Sequence, residues 1–227
     1  MIILTGASGG IGRDILPMLA KLDKVIALYN STPPDIFDHD DIESYKLNLS
    51  SEPDVIDFCS KIKKECKKVT LIHAAALSKD QLAAQLSTDD WDQVMDVNLR
   101  GNFLITRELL IPMINEKWGR IIHLSSIAGV RGMQGTLAYS TAKTGLQGMS
   151  RVLAREYARF NITSNVLVLG YFNIGLIETL SEKVRSSIIN EIPSKKLGHP
   201  SNIVHAIEYL IKSEYTSGSV VNIDGAI

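Results

Sequence analysis

Ile2-Ile3-Leu4-Thr5-Gly6-Ala7-Ser8-Gly9-Gly10-Ile11-Gly12 lies at the start of the chain and contains the pattern that decides the fold. The apolar run Ile2-Ile3-Leu4 is typical of a short strand buried in a parallel sheet. Apolar residues then recur at helical spacing, so the order is strand, glycine-rich turn and helix. In this context main-chain N–H groups and the helix N-terminus can face an anion, and the absent side chains let it approach. The stretch predicts a phosphate-binding turn. An ordinary turn with incidental glycines is the alternative, since G-x-x-x-G-x-G is not the commoner G-x-G-x-x-G.

Strand-like and helical segments alternate along the rest of the chain without an internal repeat. Strands are predicted at residues 1–5, 24–29, 44–48, 69–74, 119–125, 162–168 and 219–224. Helices are predicted at residues 11–22, 52–66, 88–115, 137–158, 177–190 and 201–212. Such alternation predicts an α/β Rossmann fold, a doubly wound parallel sheet with helices on both faces and a ligand site outside the carboxyl ends of the strands. The segment 32–41 is predicted to be a surface loop, so residues 1–227 are expected to form a single domain.

Composition and charge limit the classes of function. The chain has 227 residues, 45% of them hydrophobic, which is enough for a sizeable core. A formal net charge of −1 argues against nucleic acid or an anionic membrane as the main partner. No apolar run reaches the length of a membrane span, and the N-terminal stretch is interpreted as a strand and not a signal peptide. Cys59 and Cys66 are interpreted as a reduced intracellular pair, so we expect a cytoplasmic protein without a disulfide or a metal site.

Tyr139-Ser140-Thr141-Ala142-Lys143 places a phenol and an ammonium one helical turn apart. Residues at i and i+4 share a helix face, with Cβ atoms about 5–6 Å apart. A lysine charge ~4 Å from a tyrosine, at an effective dielectric of ~20, favours the phenolate by at most ~4 kcal/mol, or about three pKa units. The pair therefore predicts a tyrosine whose pKa is lowered enough for acid–base catalysis. The alternative is an exposed Tyr–Lys pair on an ordinary helix.

These two motifs together resemble the short-chain dehydrogenase/reductase family over nearly the whole chain. The chain is most similar to the branch that contains the 3-oxoacyl-(acyl-carrier-protein) reductases, through Gly119-Arg120-Ile121-Ile122, the Tyr–Lys helix and Val221-Asn222-Ile223-Asp224-Gly225. The resemblance implies a seven-stranded sheet and an NAD(P)-dependent oxidoreductase. It also implies a homodimer or homotetramer formed through the helices at 88–115 and 137–158 and through the last strand.

The resemblance implies a catalytic set of Ser126, Tyr139, Lys143 and Asn98. Hydride would pass from the nicotinamide to a carbonyl carbon, Tyr139 would protonate the oxygen and Ser126 would hydrogen-bond it. Lys143 would lower the pKa of Tyr139 and bind the nicotinamide ribose, while Asn98 and a water would resupply the proton. Run backwards, the same groups oxidise an alcohol, so the direction of the reaction is left open.

Cofactor preference depends on the end of the second predicted strand. The residues expected at the cofactor are Gly6, Ser8, Gly9, Gly10, Ile11, Gly12, Asn30, Ser31, Asn48, Leu49, Ala74, Ala75, Ala76, Tyr139, Lys143, Gly170 and Phe172. An NAD site usually carries an Asp or Glu at the end of that strand, and none occurs before Asp35. Asn30, Ser31 and Thr32 can donate to a 2′-phosphate, so NADP(H) is favoured over NAD(H).

Two segments depart from the family pattern. Ile72-His73-Ala74-Ala75-Ala76 stands where the family usually has Asn-Asn-Ala-Gly, so two amides that would steady this turn are absent. In Leu169-Gly170-Tyr171-Phe172-Asn173-Ile174-Gly175, Leu169 replaces a usual proline, and Ile174 replaces a threonine that touches the nicotinamide carboxamide. These departures motivate one alternative function, a catalytically silent dinucleotide-binding sensor or assembly subunit.

The expected substrate rests on the resemblance and on an apolar lid. The lid residues are Tyr171, Phe172, Ile174, Leu176, Ile177 and Leu180, with Val130 and Met133 opposite. The leading hypothesis is NADPH-dependent reduction of a 3-oxoacyl thioester to a secondary alcohol in fatty acid biosynthesis. Carrier-protein reductases use cations near the entrance to meet an acidic carrier; Lys117 and Phe160 stand at the matching positions here, with Arg159 adjacent, so this docking patch is only half supported. The alternative substrate is another small carbonyl or secondary alcohol, either sugar-derived or a secondary-metabolite intermediate.

Overall fold

Seven parallel strands form one sheet in the computed structural model, which describes residues 1–35, 40–174, 177 and 180–227. The strands are β1 (Ile2–Thr5), β2 (Val25–Tyr29), β3 (Ile42–Lys46), β4 (Val69–His73), β5 (Gly119–Ser126), β6 (Ile162–Leu169) and β7 (Val220–Ile223). Their order across the sheet is β3-β2-β1-β4-β5-β6-β7. The central strands are buried on both faces, as near-continuous apolar runs in a parallel sheet require.

Helices cover both faces of the sheet. They are α1 (Gly10–Leu19), α2 (Glu52–Ile62), α3 (Thr88–Met95), α4 (Gly101–Glu116), α5 (Ala128–Arg131), α6 (Leu137–Tyr157), α7 (Glu182–Glu191) and α8 (Pro200–Lys212). One apolar core packs α1 and α8 against side chains such as Leu4 and Ile122. The other packs α2 and α4 against side chains such as Ile3 and Ile121. Consecutive residues of a strand therefore pack into the cores on opposite faces of the sheet, because successive side chains alternate between faces.

The predicted fold class is confirmed, and the differences are shifted element ends and one interrupted helix. The strand predicted at 44–48 runs from Ile42 to Lys46, because β2 pairs with it in the register Val25↔Ile42. The helix predicted at 88–115 is broken into α3 and α4 by a π-helical turn, Asp96–Arg100. The helix predicted at 177–190 corresponds to α7, which begins later than predicted and spans Glu182–Glu191.

Some sequence-based predictions fall partly outside the described residues. Outside the described residues are 36–39 of the predicted loop 32–41, Gly175 at the end of the segment 169–175, Leu176 of the predicted lid, and residues 178 and 179. Within the described part of the chain, no helix is both long enough and apolar enough to cross a membrane. In that same part, no group of three or more His, Cys, Asp or Glu side chains is placed to hold a metal ion.

Candidate active site

A cavity of about 730 Å³ opens at the carboxyl edge of the sheet. The strand order reverses between β1 and β4, the position at which open α/β sheets bind ligands. The described residues lining the cavity are Gly6, Ser8, Gly9, Gly10, Ile11, Leu28, Tyr29, Asn30, Ser31, Leu47, Asn48, Leu49, Ala74, Ala75, Ala76, Leu77, Val97, Tyr139, Gly170, Phe172, Ile174 and Ile177. Most residues expected at the cofactor are among them.

Gly12 and Lys143 were also expected at the cofactor, but they do not line this cavity. A Cβ atom on Gly12 would lie 2.1 Å from the carbonyl oxygen of Gly6, so this glycine lets α1 pack against the preceding turn. Lys143 is buried behind Tyr139, with its ammonium on a main-chain carbonyl of β5. Both residues therefore lie one layer behind the cavity wall in this structure.

The glycine-rich turn leaves only main chain between β1 and the cavity. Gly6 has φ of 66°, a left-handed conformation that favours glycine, and an added Cβ atom would lie 2.5 Å from Ala75 Cα. The Gly9 N–H donates to the Gly6 carbonyl at 3.0 Å, and α1 then begins at Gly10. A cradle of main-chain N–H groups at the start of a helix fits a pyrophosphate.

Thr5 steadies the turn that follows β4, and the sequence analysis missed this role. Its buried side-chain oxygen Oγ1 accepts hydrogen bonds from the Ala74 and Ala75 N–H groups, each at 3.1 Å. The two missing amides are therefore compensated from the neighbouring strand, β1. Only the parallel pairing of Thr5 with His73 brings these residues together, so no local sequence signal could have identified Thr5.

The end of the cavity beneath β2 and β3 is uncharged. Asn30, Ser31 and Asn48 line it together with apolar side chains, and no described lining residue carries a charge. Arg13, a cation on α1, pairs with Asp14 at 3.1 Å and does not line the cavity. Neutral donors therefore surround the position expected for the adenosine ribose.

Burial governs the acidity of Tyr139. Burial raises the pKa of its hydroxyl above the usual value, the Ser126 hydroxyl lowers that pKa, and the charge of Asp80 raises it further. The Lys143 Nζ atom lies 5.5 Å from the centroid of the Tyr139 ring, over its face. The spacing of Tyr139 and Lys143 predicted a lowered pKa. The structure gives the opposite direction, because burial outweighs the other influences and the ammonium lies against the ring face.

Lys143 is a buried cation with one described hydrogen bond. Its Nζ atom donates to the Leu124 carbonyl oxygen at 2.8 Å. Burial lowers the pKa of the ammonium to about 8. The helix α6 presents Tyr139 and Lys143 on one face, as the i,i+4 spacing predicted.

The two serines at the end of β5 have different partners, as their alternation along a strand predicted. Ser125 is buried, and its hydroxyl donates to the Lys143 carbonyl oxygen at 2.9 Å. Ser126 is half-buried, and its Oγ accepts from the Ala128 N–H at 3.2 Å. The Ser126 hydroxyl also interacts with the Tyr139 hydroxyl, while Ser125 fixes β5 to α6.

Asn98 lies in the π-helical turn, with its side chain fully engaged. The amide nitrogen Nδ2 donates to the carbonyl oxygens of Leu77 at 2.7 Å and Val94 at 2.8 Å. The amide oxygen accepts from the Leu77 N–H at 3.2 Å. Since both amide hydrogens are used, a water can meet Asn98 only at an oxygen, either the amide Oδ1 or the main-chain carbonyl, which already accepts from Asn102 Nδ2 at 3.0 Å.

The segment after β6 is held in place despite its departures from the family pattern. Leu169 extends β6 and pairs with Ile223, and Gly170 N–H donates to the Ile223 carbonyl at 3.0 Å. Arg185 on α7 donates to the Asn173 side-chain oxygen at 2.6 Å. Phe172 and Ile174 are both buried against the cavity. Apolar packing and the Arg185 bond thus replace the stiffness of the absent proline.

Comparisons with known proteins agree with this arrangement. The model of the family described as short chain dehydrogenase matches residues 1–185. The 3-oxoacyl-[acyl-carrier-protein] reductase FabG of Rickettsia conorii is 32% identical over 229 residues, which cover 99% of this chain and 95% of that protein. Nodulation protein G of a Rhizobium species is 32% identical over 233 residues, covering 99% of this chain and 95% of that protein. A crystal structure of a putative gluconate dehydrogenase from Agrobacterium tumefaciens superposes with a TM-score of 0.90 at 25% identity, covering 99% and 94% of the two chains.

Proposed function

The chain belongs to the short-chain dehydrogenase family, and from that premise we propose that it reduces a 3-oxoacyl thioester to the secondary alcohol with NADPH. Members of this family are NAD(P)-dependent oxidoreductases that act on small molecules, so the protein is an enzyme of that class. Membership decides against the catalytically silent sensor. The finer assignments of cofactor, substrate and residue roles are the proposal.

The observation that carries the proposal is the cluster of Ser126, Tyr139 and Lys143 beside the glycine-lined cavity. Bound cofactor supplies the hydride for the carbonyl carbon. Tyr139 gives its proton to the carbonyl oxygen, and Ser126 donates a hydrogen bond to that oxygen as charge develops there. A tyrosine whose pKa is raised by burial stays protonated at neutral pH, which suits an acid in the direction of reduction.

Lys143 stabilises the phenolate form of Tyr139 from a position behind the cavity wall. An ammonium whose pKa is lowered to about 8 is still mostly charged at pH 7, so it favours a transient phenolate after Tyr139 gives up its proton. Its two other N–H groups would meet the nicotinamide ribose once the side chain extends from behind Tyr139 into the cavity, which it does not line in this structure. A water that donates a hydrogen bond to the Asn98 carbonyl then passes a proton from solvent to the tyrosine.

Uncharged lining residues support the preference for NADPH. An NAD site usually carries an acidic residue at the end of β2, where a carboxylate would repel a 2′-phosphate. Asn30 and Ser31 line the cavity there and can donate hydrogen bonds to that phosphate. The relatives named 3-oxoacyl-[acyl-carrier-protein] reductase support the substrate, as do the apolar walls at Phe172, Ile174 and Ile177.

A second candidate is the oxidation or reduction of a sugar-derived substrate. The likeness to a putative gluconate dehydrogenase favours it, since that structure covers 99% of this chain. The same catalytic groups serve both directions, because proton and hydride transfer are reversible. The two candidates differ in the substrate turned over and not in the residues used.

Three further expectations belong to the proposal. Residues 1–227 form a single domain, supported by the one continuous sheet. The protein works in fatty acid biosynthesis, in keeping with relatives named 3-oxoacyl-[acyl-carrier-protein] reductase, and in the cytoplasm, in keeping with its two free, buried cysteines. It assembles as a homodimer or homotetramer through α4 and α6, where large apolar side chains are exposed.

Calorimetric titration with NADPH and with NADH tests the cofactor, followed by assays of acetoacetyl-CoA reduction with NADPH and of gluconate oxidation with NADP⁺ or NAD⁺. We expect tighter binding of NADPH and reduction of acetoacetyl-CoA. Tyr139→Phe should keep the NADPH affinity and lose turnover by about 10²-fold or more, because it removes only the acid. Turnover of gluconate alone would favour the second candidate. Equal turnover by Tyr139→Phe would contradict the mechanism.

A further inference from the structure

A layer of buried polar side chains lies between β4 and the helix α4, and it begins at the catalytic candidate Asn98. Asn98, Asn102 and Thr106 are spaced four residues apart and all are buried, so they form a polar stripe on one face of the helix. His73 on β4 contacts this stripe, since its Nε2 atom lies 2.9 Å from the Thr106 Oγ1 atom. The proposed mechanism uses only Asn98 from this layer.

Asn102 connects the stripe to the π-helical turn. Its amide nitrogen Nδ2 donates to the Asn98 carbonyl oxygen at 3.0 Å, one turn back along the helix. That orientation is forced, because the amide oxygen of Asn102 would repel the carbonyl. The amide oxygen Oδ1 therefore points away from Asn98, and it is buried without a partner of hydrogen-bond geometry among the described residues.

His73 has the complementary orphan atom. Its Nδ1 atom is buried and likewise has no partner of hydrogen-bond geometry within the described chain. Burial, the neighbouring His123 and the charge of Lys143 lower the pKa of His73 well below its usual value, whereas hydrogen bonding with Asn102 raises it. His73 is therefore a neutral imidazole close to Asn102, with one nitrogen donating and the other accepting.

The donor inventory assigns the tautomer. Asn102 Oδ1 can only accept, so the group that satisfies it must be a donor. If His73 carries its proton on Nδ1, it supplies that donor, and its Nε2 atom accepts from the Thr106 hydroxyl. The opposite tautomer would leave Asn102 Oδ1 without a donor and His73 Nδ1 as a second buried acceptor without one, which is unfavourable for both.

We propose that Asn102 and His73 are positioning residues of the catalytic site. His73 Nδ1–H donates to Asn102 Oδ1, directly or through one bound water, and Asn102 thereby holds the Asn98 carbonyl in place. Asn98 in turn fixes Leu77, and both Leu77 and the neighbouring Val97 line the cavity. This inference rests on the proposed function, in which the Asn98 carbonyl serves the return of the proton.

His123 supplies an internal reference for the tautomer. Its ring stacks on His73 with centroids 4.7 Å apart and planes 6° from parallel. The Ser164 hydroxyl donates to Ser150 at 3.0 Å, so it can only accept from His123 Nε2, 3.4 Å away. The two stacked rings should therefore carry their protons on different nitrogens, Nδ1 in His73 and Nε2 in His123.

Nitrogen NMR of the ¹⁵N-histidine-labelled protein reads both tautomers without any substrate. We expect His73 as the Nδ1–H form and His123 as the Nε2–H form, with His73 changing to Nε2–H in Asn102→Leu. The matched control Thr106→Val also removes a polar partner of His73 but leaves Asn102 in place, so His73 should keep Nδ1–H. An Nε2–H form of His73 in the unmodified protein would overturn the proposal, even if neither variant folds.

Kinetics with NADPH and acetoacetyl-CoA separate positioning from a merely structural role. Asn102→Leu should lower kcat more than tenfold and change the affinity for NADPH less than threefold, whereas Thr106→Val should change both less than twofold. Equal losses of kcat in the two variants would overturn the positioning role. If acetoacetyl-CoA is not reduced by the unmodified protein, the proposed function fails, and the NMR tautomers still decide the His73–Asn102 bond.

Discussion

The buried ammonium of Lys143 shows how function opposes stability at a single residue. Its side chain is almost fully buried and its Nζ atom has one described hydrogen bond, to the Leu124 carbonyl. Transferring a charged group from water to such a site is unfavourable unless it is well paired. The protein retains the charge beside Tyr139, where a developing phenolate would use it. Stability is therefore lowered at the residue that the proposed chemistry needs.

Lys143→Met should stabilise the protein at pH 7 while abolishing turnover. The folded pKa of about 8 is below the ordinary 10.5, so the unfolded chain binds more protons between these values and stability rises with pH across that range. Below pH 8 the cost of burying the charged ammonium is fully present, and it lowers the free energy of unfolding by about 3 kcal/mol. Loss of the bond to Leu124 reduces the expected gain to about 1–3 kcal/mol.

Urea unfolding of Lys143→Met and of the unmodified protein at pH 7 and pH 10 measures this gain. The advantage of the variant should shrink at the higher pH, because the unmodified protein then releases the proton of Lys143. Lys183→Met, at an exposed position on α7, is the control and should show no such pH dependence. A variant that is less stable at pH 7, or an advantage that is equal at both pH values, would contradict the argument.

Residues that act locally could be predicted from the sequence, and residues that act across the sheet could not. The i,i+4 spacing placed Tyr139 and Lys143 on one helix face, whereas Ser126 was assigned through the family resemblance. Thr5 and Asn102 escaped notice, because their roles depend on contacts with β4 that only the register of the sheet creates. The raised pKa of Tyr139 was also not predictable, since burial is a tertiary property.

At the scale of elements, the junction between β1 and α1 depends on how closely two pieces of main chain approach. Gly12 lies in the first turn of α1, and a Cβ atom there would meet the Gly6 carbonyl oxygen at 2.1 Å. A separation this short cannot be relieved by a flexible side chain, because the contacted atom belongs to the backbone. The helix would have to move away from the turn that faces the proposed pyrophosphate.

Gly12→Ala should therefore lower stability and weaken NADPH binding together. Overpacking of this kind costs about 1–3 kcal/mol, and the shifted helix would misplace the N–H groups of the turn. Gly9→Ala is the matched control for stability, because its Cβ atom would lie 3.3 Å from the same Gly6 oxygen and a small adjustment suffices. Urea unfolding and cofactor fluorescence titration provide the two measurements. Equal stability losses in both variants would show that the contact at Gly12 is not decisive.

Element boundaries followed the sequence wherever burial and helical spacing agreed. The prediction of β3 at 44–48 was wrong by two residues, because register with β2 and not local apolarity sets its position at Ile42–Lys46. The π-helical turn at Asp96–Arg100 was not predicted either, since its extra residue is stabilised by bonds from Asn98 to Leu77, which lies 21 residues away. Pairing and side-chain bridging between distant segments therefore fixed what periodicity left undetermined.

At the scale of the whole molecule, the exposed apolar side chains on α4 and α6 bear on assembly. Phe103 and Ile111 on α4 are 47% and 54% exposed, and Val152 on α6 is 54% exposed. Clusters of exposed apolar residues often mark sites of protein association. The proposed dimer or tetramer would bury these side chains, and a single 25.0 kDa chain would leave them in water.

Ile111→Asp should convert the assembly to monomers, because a carboxylate at a buried interface loses its hydration without gaining a partner. Sedimentation velocity of the unmodified protein should give a dimer or tetramer, and the variant should sediment as a species of 25.0 kDa. The matched control is Leu22→Asp, just after α1, where the leucine is 38% exposed and the helix before it packs on the face of the sheet opposite α4. This control should leave the assembly intact. That result would exclude a general loss of surface apolarity as the cause of dissociation. An unmodified protein that sediments as a monomer would contradict the proposed assembly, and dissociation by both variants would place the interface elsewhere.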